Sequence, residues 1–206
     1  MGKTTLAARV VHLHPADLVL IYDWQEGEFA RRLGAPLCTT REEVAHRIEQ
    51  GHRVVCYDPQ IPFEDEIEER QQEDFAWWCK MVMEVAAHFP GIILAVIDEN
   101  HDLMTAHKMP AAERWLLSKG RRRRIDTLLV AAAANAIHNS GRNQISELYC
   151  LGCVEKNALD FPASLGLDPD EIKALPPTHF IHWDRRSRKI TKLDLWGEKS
   201  NAGNSD

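Results

Sequence analysis

Short continuous apolar runs alternate along this chain with stretches whose apolar residues recur every three or four positions. The continuous runs predict strands buried on both faces, as in a parallel sheet. They fall at Leu18–Tyr22, closed by Asp23, at 53–57, stopped by Asp58-Pro59, at 92–97, at 125–130 and at 148–151. Helical spacing appears over 3–13, where Leu6, Val10 and Leu13 form a stripe, over 28–33, over 41–50 before Gly51, over 111–119 and over 137–147. A longer helix is expected over 64–89, with Phe75, Trp78, Val82, Val85 and Phe89 on its core-facing side. The last third, with Pro162, Pro169, Pro176 and Pro177, reads as loop-rich until two apolar runs at 180–184 and 190–195 flank a basic turn and predict a hairpin. The pattern gives an α/β fold: a mostly parallel central sheet flanked by helices, with a C-terminal β-hairpin. One domain is expected over residues 1–196, followed by a polar tail over 197–206.

The stretch from Gly91 to Glu99 organises the rest. Six apolar residues from Ile92 to Ile97 end in Asp98-Glu99, which delivers two carboxylates to the carboxyl edge of the sheet. Open α/β sheets build their sites at that edge. At the other end of the sequence, Gly2-Lys3-Thr4-Thr5 opens a helix in the order a phosphate-binding loop requires. Glycine lets the backbone approach the oxygens, lysine reaches the terminal phosphates, and a threonine hydroxyl meets Mg²⁺. Joined to these residues, Asp98 becomes the carboxylate that holds the metal and Glu99 the base that orients the attacking water. Gly2, Lys3, Thr4 and Thr5 are the expected nucleotide-binding residues, with Thr4 and Asp98 on Mg²⁺.

Composition changes the picture in two places. The formal net charge is −6, yet 64–74 holds seven acids against Arg70, so this one segment carries the whole excess. Elsewhere lie two basic clusters, 119–124 and 185–189, each suited to local contact with a phosphate backbone. Five cysteines form an odd set among apolar neighbours, which fits reduced core residues in an intracellular protein. Cys150-Leu151-Gly152-Cys153 supplies half of a zinc site at most, and Trp77 and Trp78 read first as helix core. No apolar run is long enough to cross a bilayer.

Taken in order, Gly2-Lys3-Thr4-Thr5, Asp98-Glu99, Gly120 followed by Arg121, Arg122, Arg123 and Arg124, and Asn135-Ala136-Ile137-His138 resemble the FtsK-HerA superfamily of DNA-pumping P-loop ATPases. The segments Leu167-Asp168-Pro169-Asp170-Glu171 and Phe180-Ile181-His182-Trp183-Asp184 are similar to the closing part of genome-packaging ATPases of membrane-containing icosahedral viruses and of related phage proteins. The resemblance implies a RecA-like sheet, ATP and Mg²⁺ as cofactors, and a homo-oligomeric ring, expected to be a hexamer. It implies movement of double-stranded DNA, with viral portal or capsid vertex proteins as partners. The setting would be host cytoplasm or a virion packaging vertex. Arg121 or Arg123 would reach a neighbour's nucleotide as a finger, or the cluster would grip DNA; Arg122, Arg124 and Arg142 are assigned to DNA or an interface. The chain departs from the family at three points. A strand and an earlier glycine would precede Met1; Ala131 to Ala134 occupy positions where the family places a γ-phosphate-sensing glutamine; and Arg124 stands where the turn usually relaxes into glycine. Two other classes share parts of this pattern, a catalytically degenerate P-loop subunit that binds DNA or a partner, and a thymidine-kinase-like nucleoside kinase.

Overall fold

A computed structural model describes residues 2–23, 27–61, 67–99, 109–133 and 137–195. Helix α1 (Gly2–Leu13) precedes strand β1 (Leu18–Tyr22), and α2 (Glu28–Leu33) leads to a short β2 (Leu37–Cys38). Then come α3 (Arg41–Glu49), β3 (Val54–Tyr57), the long α4 (Ile67–His88) and β4 (Ile93–Ile97). Helix α5 (Ala111–Lys119) runs through a 3₁₀ turn (Gly120–Arg123) into β5 (Ile125–Leu129). The five strands form one parallel sheet in the order β2-β3-β1-β4-β5, so β1 and β4 lie side by side in the interior and β5 forms one margin. Every residue of β1 and β4 is buried, as the unbroken apolar runs require.

Alternate residues of these strands feed two cores. Val19, Ile21, Leu94 and Val96 pack against Ala7 and Val11 of α1 and Phe29 and Ala30 of α2. Leu18, Leu20, Tyr22, Ile93, Ala95 and Ile97 face Val44 of α3, Phe75, Trp78 and Val82 of α4, and Leu116 of α5. The result is a three-layer sandwich whose strand period of two sorts side chains between helical layers. The stripe on α4 is thus core-facing, as its spacing indicates.

The C-terminal part is a second sheet. Strand β6 (Glu147–Leu151) pairs antiparallel with β7 (His179–Asp184), which pairs with β8 (Lys189–Asp194). The hairpin is present, but β6 joins it rather than the parallel sheet. Two helices, α7 (Lys156–Ser164) and α8 (Pro169–Lys173), occupy what the prolines suggested was loop. Pro169 is a helix starter here, at the first turn behind the Asp168 cap, and Pro162 falls near the end of α7. Leu159, Leu167 and Ile172 from this region pack under Ile181 and Trp183. The helix expected over 137–147 shrinks to α6 (Asn139–Arg142), capped by His138 Nδ1 accepting from the Ser140 amide at 3.1 Å. Gly141 weakens helix there, and the chain must extend again by Glu147 to enter β6. The polar tail over 197–206, the loop at Asn100 to Asp102, and Ala134, Asn135 and Ala136 lie outside the described residues. Among the described residues no helix is long and apolar enough to cross a membrane.

Candidate active site

Three parallel strands end in buried aspartates. Asp58 follows β3, Asp23 follows β1 and Asp98 follows β4, with 6%, 0% and 1% exposure. The amide of each donates to the last carbonyl of a neighbouring strand: Asp58 to Cys38, Asp23 to Tyr57, Asp98 to Tyr22, at 2.8–3.0 Å. Sheet pairing thereby fixes a row of carboxylates along the carboxyl edge. Two of the three have structural work. Asp58 accepts from the Gln60 amide and side chain, and Asp23 Oδ2 caps α2 by accepting from the Phe29 and Ala30 amides at 2.9 and 3.2 Å. Asp98 differs: both its oxygens are buried and accept no well-formed hydrogen bond.

That isolation alters its acidity. Burial pushes the Asp98 carboxyl up to about 7. The adjacent Glu99 amide counters part of the rise, the charges of Asp23 and Glu99 add to it, and Lys3 lowers it. A buried carboxylate without a well-formed hydrogen bond, among other acids, is a seat for a cation. Among the described residues no three metal-ligating side chains converge, so the site suits a cation held by one carboxylate together with waters and phosphates, the habit of Mg²⁺.

Glu99 faces the N-terminus of α1. Lys3 Nζ donates to Glu99 Oε1 at 2.8 Å and to Oε2 at 3.1 Å, across 96 residues of sequence. Glu99 is 6% exposed and its backbone takes φ = 41°, a left-handed conformation that non-glycine residues rarely adopt. Such strain is found where a side chain is aimed for use. Thr4, 6% exposed, donates to Glu28 Oε2 at 3.4 Å, so the first residue of α2 closes this side of the site. Arg32 also binds Glu28, and this hydrogen bond is the main reason the Glu28 carboxyl lies below its ordinary range. Thr5 follows on α1. A β-carbon on Gly2 would meet Leu151 Cδ1 of β6 at 3.1 Å, so the glycine lets α1 start close against the second sheet.

The structure thus brings Gly2, Lys3, Thr4, Thr5, Asp98 and Glu99 to one edge, and adds Asp23 and Glu28. Reading each strand separately hid the added residues. The signal was the recurrence of aspartate after each of three apolar runs.

The arginine cluster lies elsewhere. Ile125 pairs in register with Ile93, and the Ile93 amide donates to the Arg124 carbonyl, which puts the 3₁₀ turn at the amino edge of the sheet. The length of β4, about 17 Å, separates it from Asp98. Arg123 donates to the Met83 carbonyl at 3.1 Å and lies over the Trp115 ring, while Arg124 donates to the Pro90 carbonyl. These two arginines tie the turn to its own chain. Arg121 and Arg122 are exposed and make no ion pair among the described residues. Arg124 takes φ = 58°, so the position has the backbone of a glycine although arginine occupies it. Arg142 lies over Phe161 and donates to Asn139 Oδ1. Ala131 and Ala133 are half-buried after β5, and a methyl group there offers no hydrogen bond. Cys150 and Cys153 pack against the C-terminal core, where burial pushes the Cys150 thiol up to about 11.

A parallel sheet with acids at its carboxyl edge and a lysine-bearing helix against them has the fold of a P-loop NTPase. Among solved structures, the chain is similar to the genome-packaging NTPase B204 of Sulfolobus turreted icosahedral virus 2. The sulfate complex gives a TM-score of 0.69 at 15% identity, covering 93% of this chain and 91% of that one. The AMPPCP complex gives 0.67 at 15%, covering 93% of both. The bacterial conjugative coupling protein TrwB gives 0.52 at 16% over 74% of this chain and 43% of that one. At these identities the likeness is one of fold. No protein-family model and no curated protein matches the sequence.

Proposed function

We propose that this chain is an ATP-hydrolysing motor subunit that moves double-stranded DNA, with packaging of a viral genome as the favoured setting. The observation that carries the reading is the convergence of Lys3 and Glu99, with the unpartnered Asp98 beside them, at one sheet edge. The similarity in fold to a packaging NTPase solved with nucleotide analogues and to a conjugative coupling protein supports it.

In this reading Lys3 leaves Glu99 for the terminal phosphates of ATP, and the freed Glu99 orients water and takes its proton. Thr4 and Asp98 would hold Mg²⁺, which supplies positive charge to the phosphates when bound. Asp98 must be ionised to do so, and its raised acidity range means that cation binding displaces a proton near neutral pH. Gly2 and Thr5 shape the start of α1 around the phosphates. Residues 1–196 act as one ATPase domain in a ring, expected to be a hexamer. Arg121 or Arg122 is better free than Arg123 to act as the finger on a neighbouring subunit. Portal or capsid vertex proteins would be the partners, in host cytoplasm or at the packaging vertex.

The test is ATP turnover by the purified chain with and without duplex DNA. Duplex should stimulate hydrolysis. Glu99→Gln should keep ATP binding and lose turnover by roughly 10²-fold or more, the usual worth of a positioned base. Turnover equal to wild type removes Glu99 from the mechanism, and phosphorylation of a nucleoside in place of hydrolysis would replace the motor reading with a kinase.

A further inference from the structure

The second basic cluster forms the tip of the β7–β8 hairpin. Asp184 pairs with Lys189, leaving Arg185 to Arg188 as a four-residue turn. Asp184 orders it: Oδ1 accepts from the Arg186 amide and Oδ2 from the Ser187 hydroxyl, both at 2.8 Å. The Ser187 hydroxyl in turn accepts from the Lys189 amide at 3.3 Å. These donors hold the Asp184 carboxyl below its ordinary range. Arg185 fastens the tip sideways, its amide donating to Ser146 O at 2.8 Å and its guanidinium to Asn143 O at 3.0 Å while lying over Trp183. Arg186, Arg188 and Lys189 remain exposed and make no ion pair among the described residues. An ordered turn thus presents three free cations on a molecule whose net charge is −6.

The base of the same hairpin is fixed to the helix that carries Lys3. Phe180 and Leu195 pack with Leu6, and half-buried Leu193 and Val10 join them. Arg9 donates to the Leu195 carbonyl. The register places the tip four residues from the Phe180–Leu151 pair beside α1, about 14 Å along the strand. Tip and phosphate helix are therefore joined through one packed unit.

We infer that the β7–β8 hairpin tip is a contact for the phosphate backbone of double-stranded DNA, made by Arg186, Arg188 and Lys189 and carried on the helix that binds nucleotide. The inference rests on the motor reading above and names where the partner is held. Cations with no internal partner on a rigid turn meet a regular array of phosphates without reorganising, and they add affinity that is independent of sequence and sensitive to salt. An acidic protein surface offers no such array, so duplex DNA is the occupant.

The measurement is fluorescence anisotropy of a labelled random-sequence duplex of about 30 base pairs, titrated with the full chain across KCl concentrations, for wild type and R186Q/R188Q/K189Q. Unchanged thermal melting shows that the variant is folded. The variant should bind roughly tenfold or more weakly at moderate salt, and the slope of log affinity against log salt should fall by about 2–3, near 0.9 for each lost contact. Equal affinity and slope in the two proteins overturns the hairpin assignment and leaves the motor reading standing. A wild-type chain that binds no duplex at all removes both. Loss of self-association in the variant with duplex binding intact would make the tip a contact between copies, and loss confined to a single-stranded RNA probe would make it an RNA contact; either result overturns the proposal.

Discussion

Glu99 occupies a conformation that costs a non-glycine residue roughly 1–2 kcal/mol, and the Lys3 bond is one of the contacts that hold it there. Its neighbour is costlier. With the Asp98 carboxyl raised to about 7, the folded protein keeps a proton that the unfolded chain has lost above about pH 4, so stability falls as pH rises between those values and the full cost is present above 7. Asparagine has no proton to lose. Metal-free melting of Asp98→Asn in EDTA should therefore run ahead of wild type by a margin that widens between about pH 5 and pH 7, by roughly 5 °C, and then levels off. A margin independent of pH would give Asp98 an ordinary acidity and weaken its place as a cation seat. Adjacent carboxylates after an apolar run were legible in the sequence. The burial of Asp98 without a well-formed hydrogen bond was not, because it depends on which neighbouring strand end already supplies donors.

At the scale of elements, α3, α4 and the ends of β1 and β3 are joined through one buried carboxylate. Asp74 of α4 accepts from Tyr57 Oη at 2.9 Å, from Tyr22 Oη at 3.4 Å, and from Arg41 Nε and Nη2 at 3.2 and 3.0 Å, while Arg41 lies over Trp77. Asp74→Ala should cost about 2–3 kcal/mol, since two buried hydroxyls lose their acceptor and the half-exposed Arg41 partner is screened by water. Urea unfolding with an unchanged slope would show it, and a loss below about 0.5 kcal/mol would make the network dispensable. In sequence 64–74 is a single acidic segment, yet its last acid is interior. Periodicity placed the strands and the α4 stripe well, because burial on one or both faces writes itself into residue spacing. It failed over 137–147, where a glycine interrupts a helical pattern, and in the proline-rich region, where Pro169 starts a helix and Pro162 is accommodated near the end of one.

For the whole molecule, the sheet separates two halves of the proposed chemistry. Asp98 and Glu99 stand at its carboxyl edge, and Arg121 and Arg122 at its amino edge. Arg121 or Arg122 can then reach a nucleotide only on another copy. R121A/R122A and Glu99→Gln should each be inactive alone, and mixing them should restore part of the hydrolysis, because mixed interfaces join an intact base to an intact finger. No recovery on mixing, with assembly verified by light scattering, would confine all catalytic groups to one chain. This arrangement was not readable from sequence, where 120–124 lies close after 98–99; parallel topology carries the chain back across the sheet between them.

The strand order has one further consequence. β5 hydrogen-bonds to β4 and, among the described residues, to no strand on its other side, while Leu128 and Leu129 are half-buried. An open row of amides and carbonyls beside apolar side chains is a template onto which another extended segment can zip. Leu128→Lys should therefore raise the concentration at which the purified chain turns turbid, and an unchanged onset would show that this margin is not the template.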